Sequence, residues 1–279
     1  MVPARLARVV VAGAVAAVLV FAAAAFAQGF RFREGSLPAR YAPTQMPDGA
    51  FVVCRLAYRS VRAEPMGIGW QTDYPFAEIN LTTRLSELTK TRVSRRENGA
   101  PNHFVVRLTD DALFNCPMTV ASDVGSLGFR TEEIERLRAY LLKGGFLWVD
   151  DFWGTLAWRQ WESEIGKVLP RAEFPIVDVS LDDPMLRSMF DVTKVPQITN
   201  IQFWRGVGGR STSERGADSV DAHLRVIRDA RGHIMVLMTH NTDVADSWER
   251  EGEDPAFFYQ FSPGGYALGI DVLLHAMTH

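Results

Sequence analysis

TEEIERLRAYLLKGGFLWVDDFWG, residues 131–154, holds a helix, a stop, a buried strand and an acidic turn in that order. Thr131 suits an N-cap, and Glu132 and Glu133 put negative charge in the first turn, where the helix dipole favours it. Ile134, Leu137 and Leu141 recur at helical spacing and predict a core-facing stripe. Gly144 suits the left-handed residue that ends a helix. Phe146, Leu147, Trp148 and Val149 run apolar without alternation, as in a strand covered on both faces. Asp150 and Asp151 stand where that strand ends, and open α/β sheets bind ligands at the carboxyl ends of their strands.

Outward from this unit, strand and helix alternate. Residues 51–58, 104–108 and 117–121 read as strands, and residues 76–88 as a helix with Ile79, Leu81, Leu85 and Leu88 on its apolar face. A second helix follows Gly154 and ends before Pro170, with Leu156, Trp158 and Trp161 on its core face. Residues 176–179 make a short strand, and residues 195–198 and 202–204 read as extended. Residues 206–216 read as an exposed loop. Residues 223–227 and 234–238 form a hairpin around Asp229 to Gly232. Residues 246–255 read as a charged surface loop, and Gly264 and Gly265 as the lead into a last helix over 266–277. The expected fold is a mainly parallel α/β sheet with helices on both faces and a late antiparallel hairpin.

The 279 residues suit one large domain or two small ones, and 47% hydrophobic with 23% charged residues exclude a disordered or multi-span chain. Residues 1–27 differ. Arg5 and Arg8 precede an uncharged apolar run, and Ala25, Phe26 and Ala27 offer an A-x-A cleavage site, so residues 1–27 read as a signal peptide. Retention of residues 9–27 as a membrane anchor is the alternative. Residues 28–48 read as a linker or lead-in strap, and residues 49–279 as the folded domain. The expected location is outside the cytoplasm, periplasmic or tethered. Without residues 1–27, which carry two Arg and no acid, 28 basic residues face 33 acidic ones, and no basic patch suggests nucleic acid. Cys54 and Cys116 read as two buried thiols, with a disulfide as the alternative that an oxidising compartment permits.

Four runs resemble a known family: residues 70–81 (WQTDYPFAEINL), residues 132–154, His240 to Asp243 (HNTD) with Trp248, and residues 265–272 (GYALGIDV). Together they look like the bacterial family called domain of unknown function 4159, which is similar in fold to the class I glutamine amidotransferases. The resemblance implies a flavodoxin-like three-layer sandwich and exported or membrane-tethered members. It implies no activity. Amidotransferases carry a nucleophilic Cys on the turn after a central strand; here that turn is Asp150 to Gly154 and has no Cys, so glutaminase activity is not expected.

The candidate site is the rim formed by Asp150, Asp151, Asn241, Asp243 and His240, with Asp73, Tyr74 and Trp153 as further ligand-binding residues. Carboxylates beside an imidazole suit acid–base work or a divalent metal. The plainer reading is that Asp150 and Asp151 cap the following helix and pair with an Arg, and that Tyr74 is buried against the sheet edge. The expectation is a binding or assembly module without a cofactor or bound metal, divalent cations being an alternative occupant. Its partner would be a protein, a small polar ligand or a membrane-associated complex. The competing expectation is a hydrolase using Asp151 with His240.

Overall fold

The structure, a computed structural model, describes residues 38–278; residues 1–27, read above as a signal peptide, residues 28–37 of the expected linker and His279 lie outside the described residues. Seven strands form one sheet: β1 (Val53–Ala57), β2 (Phe104–Arg107), β3 (Met118–Ser122), β4 (Phe146–Asp150), β5 (Val177–Asp178), β6 (His223–Arg228) and β7 (Ile234–His240). Their spatial order is β2-β1-β3-β4-β7-β6-β5. The first five in that order are parallel, while β6 runs antiparallel to β7 and β5 to β6. This is the flavodoxin-like order extended by an antiparallel edge. The chain order reverses between β1 and β3, so a crevice opens above their carboxyl ends.

Period-two alternation sorts the side chains into two layers. Cys54, Leu56, Leu147, Val149, Val236 and Met238 face one way. They meet α2 (Thr131–Leu142) through Leu137, Tyr140 and Leu141, and α3 (Gly154–Val168) through Ala157, Trp161 and Ile165. Val53, Met118, Val120, Phe146, Trp148 and Leu237 face the other way. Their partners are α1 (Phe76–Leu88), α4 (Ile201–Gly206), the short α5 (Asp246–Glu249) and the long α6 (Pro255–Thr278). Among the described residues no helix is long and apolar enough to cross a membrane.

Several expectations change. The bounds of α1 are those read from the sequence, but its buried stripe is Ala77, Leu81 and Leu85, and Leu88 is exposed. Leu156 is likewise exposed. Arg130, not Thr131, precedes α2, and the Glu133 carboxylate accepts from the Arg130 N–H at 2.7 Å. Gly144 does end α2, at φ +95°. Residues 202–204 are helical, with Asn200 capping α4 by accepting from Gln202 N. Residues 246–250 are buried rather than a surface loop, because the Arg250 guanidinium lies 3.2 Å from Asp246 and 2.9 Å from Glu249 and offsets their charge. Helix α6 starts eleven residues earlier than expected and runs through Gly264 and Gly265. Gly265 serves packing: a Cβ there would overlap the Ser247 hydroxyl.

Cys54 and Cys116 form a disulfide, in place of the two buried thiols expected, with Cα atoms 6.0 Å apart. It ties β1 to the turn that enters β3. The strap is also fastened. Val105 N donates to Arg40 O, Ala42 N donates to Val105 O, and Tyr41 lies parallel to the edge of β2.

Candidate functional site

Strands β3, β4 and β7 each hand over to a left-handed polar residue: Asp123 (φ +56°), Asp151 (φ +52°) and Asn241 (φ +60°). Asp73, in the loop after β1, is left-handed too, at φ +66°. Asp and Asn tolerate this conformation better than other side-chain residues, yet it still costs free energy. Four such residues at one sheet edge turn the chain sharply and bring four polar side chains around the crevice. Asp123 N bonds to the carbonyls of Asp150 and Asp151, 3.1 Å each, which locks the ends of β3 and β4 together.

Below this rim lies a buried polar chain on the α1 side of the sheet. Arg55, fully buried, donates to Glu78 Oε1 (2.6 Å) and to Ser122 Oγ (2.7 Å), and Ser122 donates on to Asp73 Oδ2 (2.7 Å). Asp150 is spoken for: Thr239 Oγ1 donates to Oδ1 at 2.5 Å and Ala245 N to Oδ2 at 2.8 Å. It therefore anchors the 243–245 turn and not α3. The start of α3 is capped from elsewhere, by Asn241 Oδ1 accepting from Gly154 N and Asp218 Oδ2 accepting from Thr155 N, both at 2.8 Å. The expected capping of α3 by Asp150 and Asp151 is thus replaced.

Asp151, Asp73 and Asp243 are the members with capacity left. One carboxylate oxygen from each lies within 4.8 Å of the others. Asp73 Oδ1 and Asp243 Oδ2 are buried without a hydrogen-bond partner. The other oxygen of Asp243 accepts from Asp246 N, and Asp151 Oδ1 accepts from Trp153 Nε1 at 2.9 Å. Burial, then the neighbouring carboxylates, hold Asp151 and Asp243 well above the usual carboxyl range. Burial raises Asp150 to about 7 and Asp123 to about 6. Asp151 is partly exposed and opens into a small pocket shared with Glu64, Met66, Asp123, Trp153 and Glu214. The space in that pocket is about 10 Å³, the size of one water molecule or one ion.

His240 does not join this group. Register pairs Leu237 with Trp148 and Met238 with Val149, which sets Thr239 beside Asp150 and turns His240 to the opposite face. There it lies against Phe152 and Trp158, with ring centroids 4.9 and 5.2 Å away, and its Nε2 is 3.2 Å from Gly154 O. Burial lowers its pKa to about 4. Among the described residues no hydrogen bond links it to Asp151. Tyr74 is buried, as the plainer reading had it. Its hydroxyl accepts from Arg40 N (3.2 Å) and lies 3.0 Å from His103 Nδ1, so it fastens the strap. Trp153 forms a pocket wall.

Three contributors were missed from sequence. Asp123 carried the signal used for Asp150, an acid directly after an apolar strand. Glu214 stood in residues 206–216, read as an exposed loop; residues 211–215 are half-buried, and its carboxylate accepts from Asn200 N (2.7 Å) and Thr199 Oγ1 (2.9 Å). The loop 64–69 closes over the rim, with Gly69 N donating to Asp123 Oδ2 at 2.7 Å. A Cβ at Gly67 would overlap the Asp123 carboxylate, so glycine is required for that approach.

Fold and rim together define a three-layer α/β protein with an acidic crevice at the carboxyl edge of its sheet. The chain belongs to the family described as Domain of unknown function (DUF4159), whose model matches residues 53–277. No curated protein matches it.

Proposed function

We propose that this chain is an exported binding module, similar in fold to the class I glutamine amidotransferases, whose acidic crevice captures a small positively charged group. The observation that carries the reading is the pair of buried, unpartnered oxygens, Asp73 Oδ1 and Asp243 Oδ2, beside Asp151. Buried polar atoms are normally hydrogen-bonded, and those left over mark a place for a ligand. Three neighbouring carboxylates select positive charge, and Asp151, one of them, also lines a pocket of about 10 Å³, room for one water molecule or one ion.

The family resemblance and the strand order support the likeness to amidotransferases. With both cysteines in a disulfide, no thiol serves as nucleophile. The disulfide, together with the A-x-A site after the apolar run, supports export. Because His240 faces the other side of the sheet, the geometry favours binding over hydrolysis by Asp151 with His240.

The test is thermal unfolding in EDTA against ammonium, methylamine and guanidinium salts, wild type beside Asp151→Asn. Stabilisation of the wild type that the variant loses is expected. Identical responses of the two proteins would remove the crevice as the site.

A further inference from the structure

We propose that Asp73, Asp151 and Asp243 form a site for a hard divalent cation of the size of Ca²⁺ or Mn²⁺. This rests on the reading of the crevice as a ligand site and names its occupant. Three features converge on it.

The first is the donor set. It consists of carboxylate oxygens, with no imidazole or thiol among them, and such oxygens suit Ca²⁺, Mg²⁺ and Mn²⁺. The second is spacing. Oxygens bound to Ca²⁺ at ~2.4 Å reach ~4.8 Å apart when they lie on opposite sides of the ion. The three carboxylates meet that limit, each offering an oxygen within 4.8 Å of the others. The third is the pair of unpartnered oxygens, Asp73 Oδ1 and Asp243 Oδ2, on side chains each 1% exposed.

A neighbouring acidic group shows what a satisfied cluster looks like. Asp73, Asp246 and Glu249 also lie within 4.8 Å of one another, but the Arg250 guanidinium stands against Asp246 and Glu249. Among the described residues no ion pair reaches Asp151 or Asp243. Each also has a support that fixes its carboxylate: Ser122 Oγ on Asp73, Trp153 Nε1 on Asp151 and Asp246 N on Asp243. Such outer contacts orient metal ligands. The partly exposed Asp151 lines the small pocket, which Asp73 and Asp243 do not, so Asp151 marks the side from which an ion enters.

The experiment is a Mn²⁺ titration of the EDTA-stripped protein, following free Mn²⁺ by electron paramagnetic resonance, with Ca²⁺ and Mg²⁺ as competitors. Wild type is expected to take up one Mn²⁺ per chain with sub-millimolar affinity, displaced by Ca²⁺. Asp243→Asn and Asp151→Asn should each weaken binding tenfold or more. Two variants are used because a folding defect in one would leave the other to decide; circular dichroism checks both. No uptake at millimolar Mn²⁺, or uptake unchanged in both variants, overturns the proposal. If the wild type ignores Mn²⁺ yet answers ammonium or methylamine in EDTA, the cation assignment falls and the binding reading stands. If it answers neither, both fall.

Discussion

Asp243→Asn should stabilise the cation-free protein at neutral pH, although it changes a fully buried side chain. The substitution keeps Oδ1 as acceptor for Asp246 N and replaces the unpartnered Oδ2 by an amide that can donate to its acidic neighbours. Two carboxylates 4.8 Å apart repel by about 3.5 kcal/mol at an effective dielectric of ~20. Asp243 faces two of them, Asp73 and Asp151, at no more than that distance. The sum exceeds the ~4 kcal/mol needed to keep a proton on an ordinary carboxyl at pH 7, so the cluster holds a proton instead. Burial and the Asp151 and Asp73 charges raise Asp243 in the folded state. For an acid raised in this way, stability is fully present below the unfolded pKa of ~3.9 and is lost as pH rises through the folded value. Asparagine removes that loss. The expected gain in EDTA is about 3 kcal/mol at pH 7.5 and none at pH 4, read from urea unfolding at both pH values. At a few degrees per kcal/mol in a domain of this size, the neutral-pH midpoint should rise by roughly 6–12 °C. A loss of stability of similar size at both pH values would refute the reasoning, since it would make Asp243 a structural partner and not an uncompensated charge.

Arg55→Met should cost about 3–5 kcal/mol in urea unfolding, because it strands the buried Glu78 carboxylate; a cost below about 1 kcal/mol would mean that Glu78 finds another partner. Removing the Cys54–Cys116 bridge by the double Ala substitution should cost about 4 kcal/mol, given a sequence separation of 62, and an unchanged urea midpoint would contradict that. His240 should stay neutral until about pH 4 in an NMR titration of its ring protons. As its folded pKa is lowered, its contribution is present above the unfolded pKa of ~6.5 and falls by about 3 kcal/mol as pH drops towards 4; titration near 6.5 would place the ring in solvent.

Apolar runs and glycine stops made the parallel sheet legible, since residues 146–149 have no pattern but that of a strand covered on both sides. The hairpin of β6 and β7 was legible from two strand runs flanking the turn at Asp229 to Gly232. Helix α6 was misread because Gly264 and Gly265 look like breakers until Ser247 is seen against Gly265; close approach is a tertiary fact. The burial of residues 246–250 was hidden likewise, since only the placement of Arg250 offsets their charge. At the site, acids at strand ends pointed to Asp150, Asp151 and Asp243. Which of them is satisfied depends on register. Pairing β4 with β7 puts Thr239 on Asp150 and sends His240 to the far face, and a shift of one residue would have reversed that. Glu214 lay beyond reach, because its loop carries no periodicity.

The central claim is that three aspartates from separate loops share one divalent cation. Anomalous diffraction from crystals grown with Mn²⁺ tests it most directly. The account predicts one strong peak with an oxygen of Asp73, Asp151 and Asp243 each at roughly 2.2 Å. Well-ordered side chains at these three positions with no peak between them, in crystals at millimolar Mn²⁺, would contradict it.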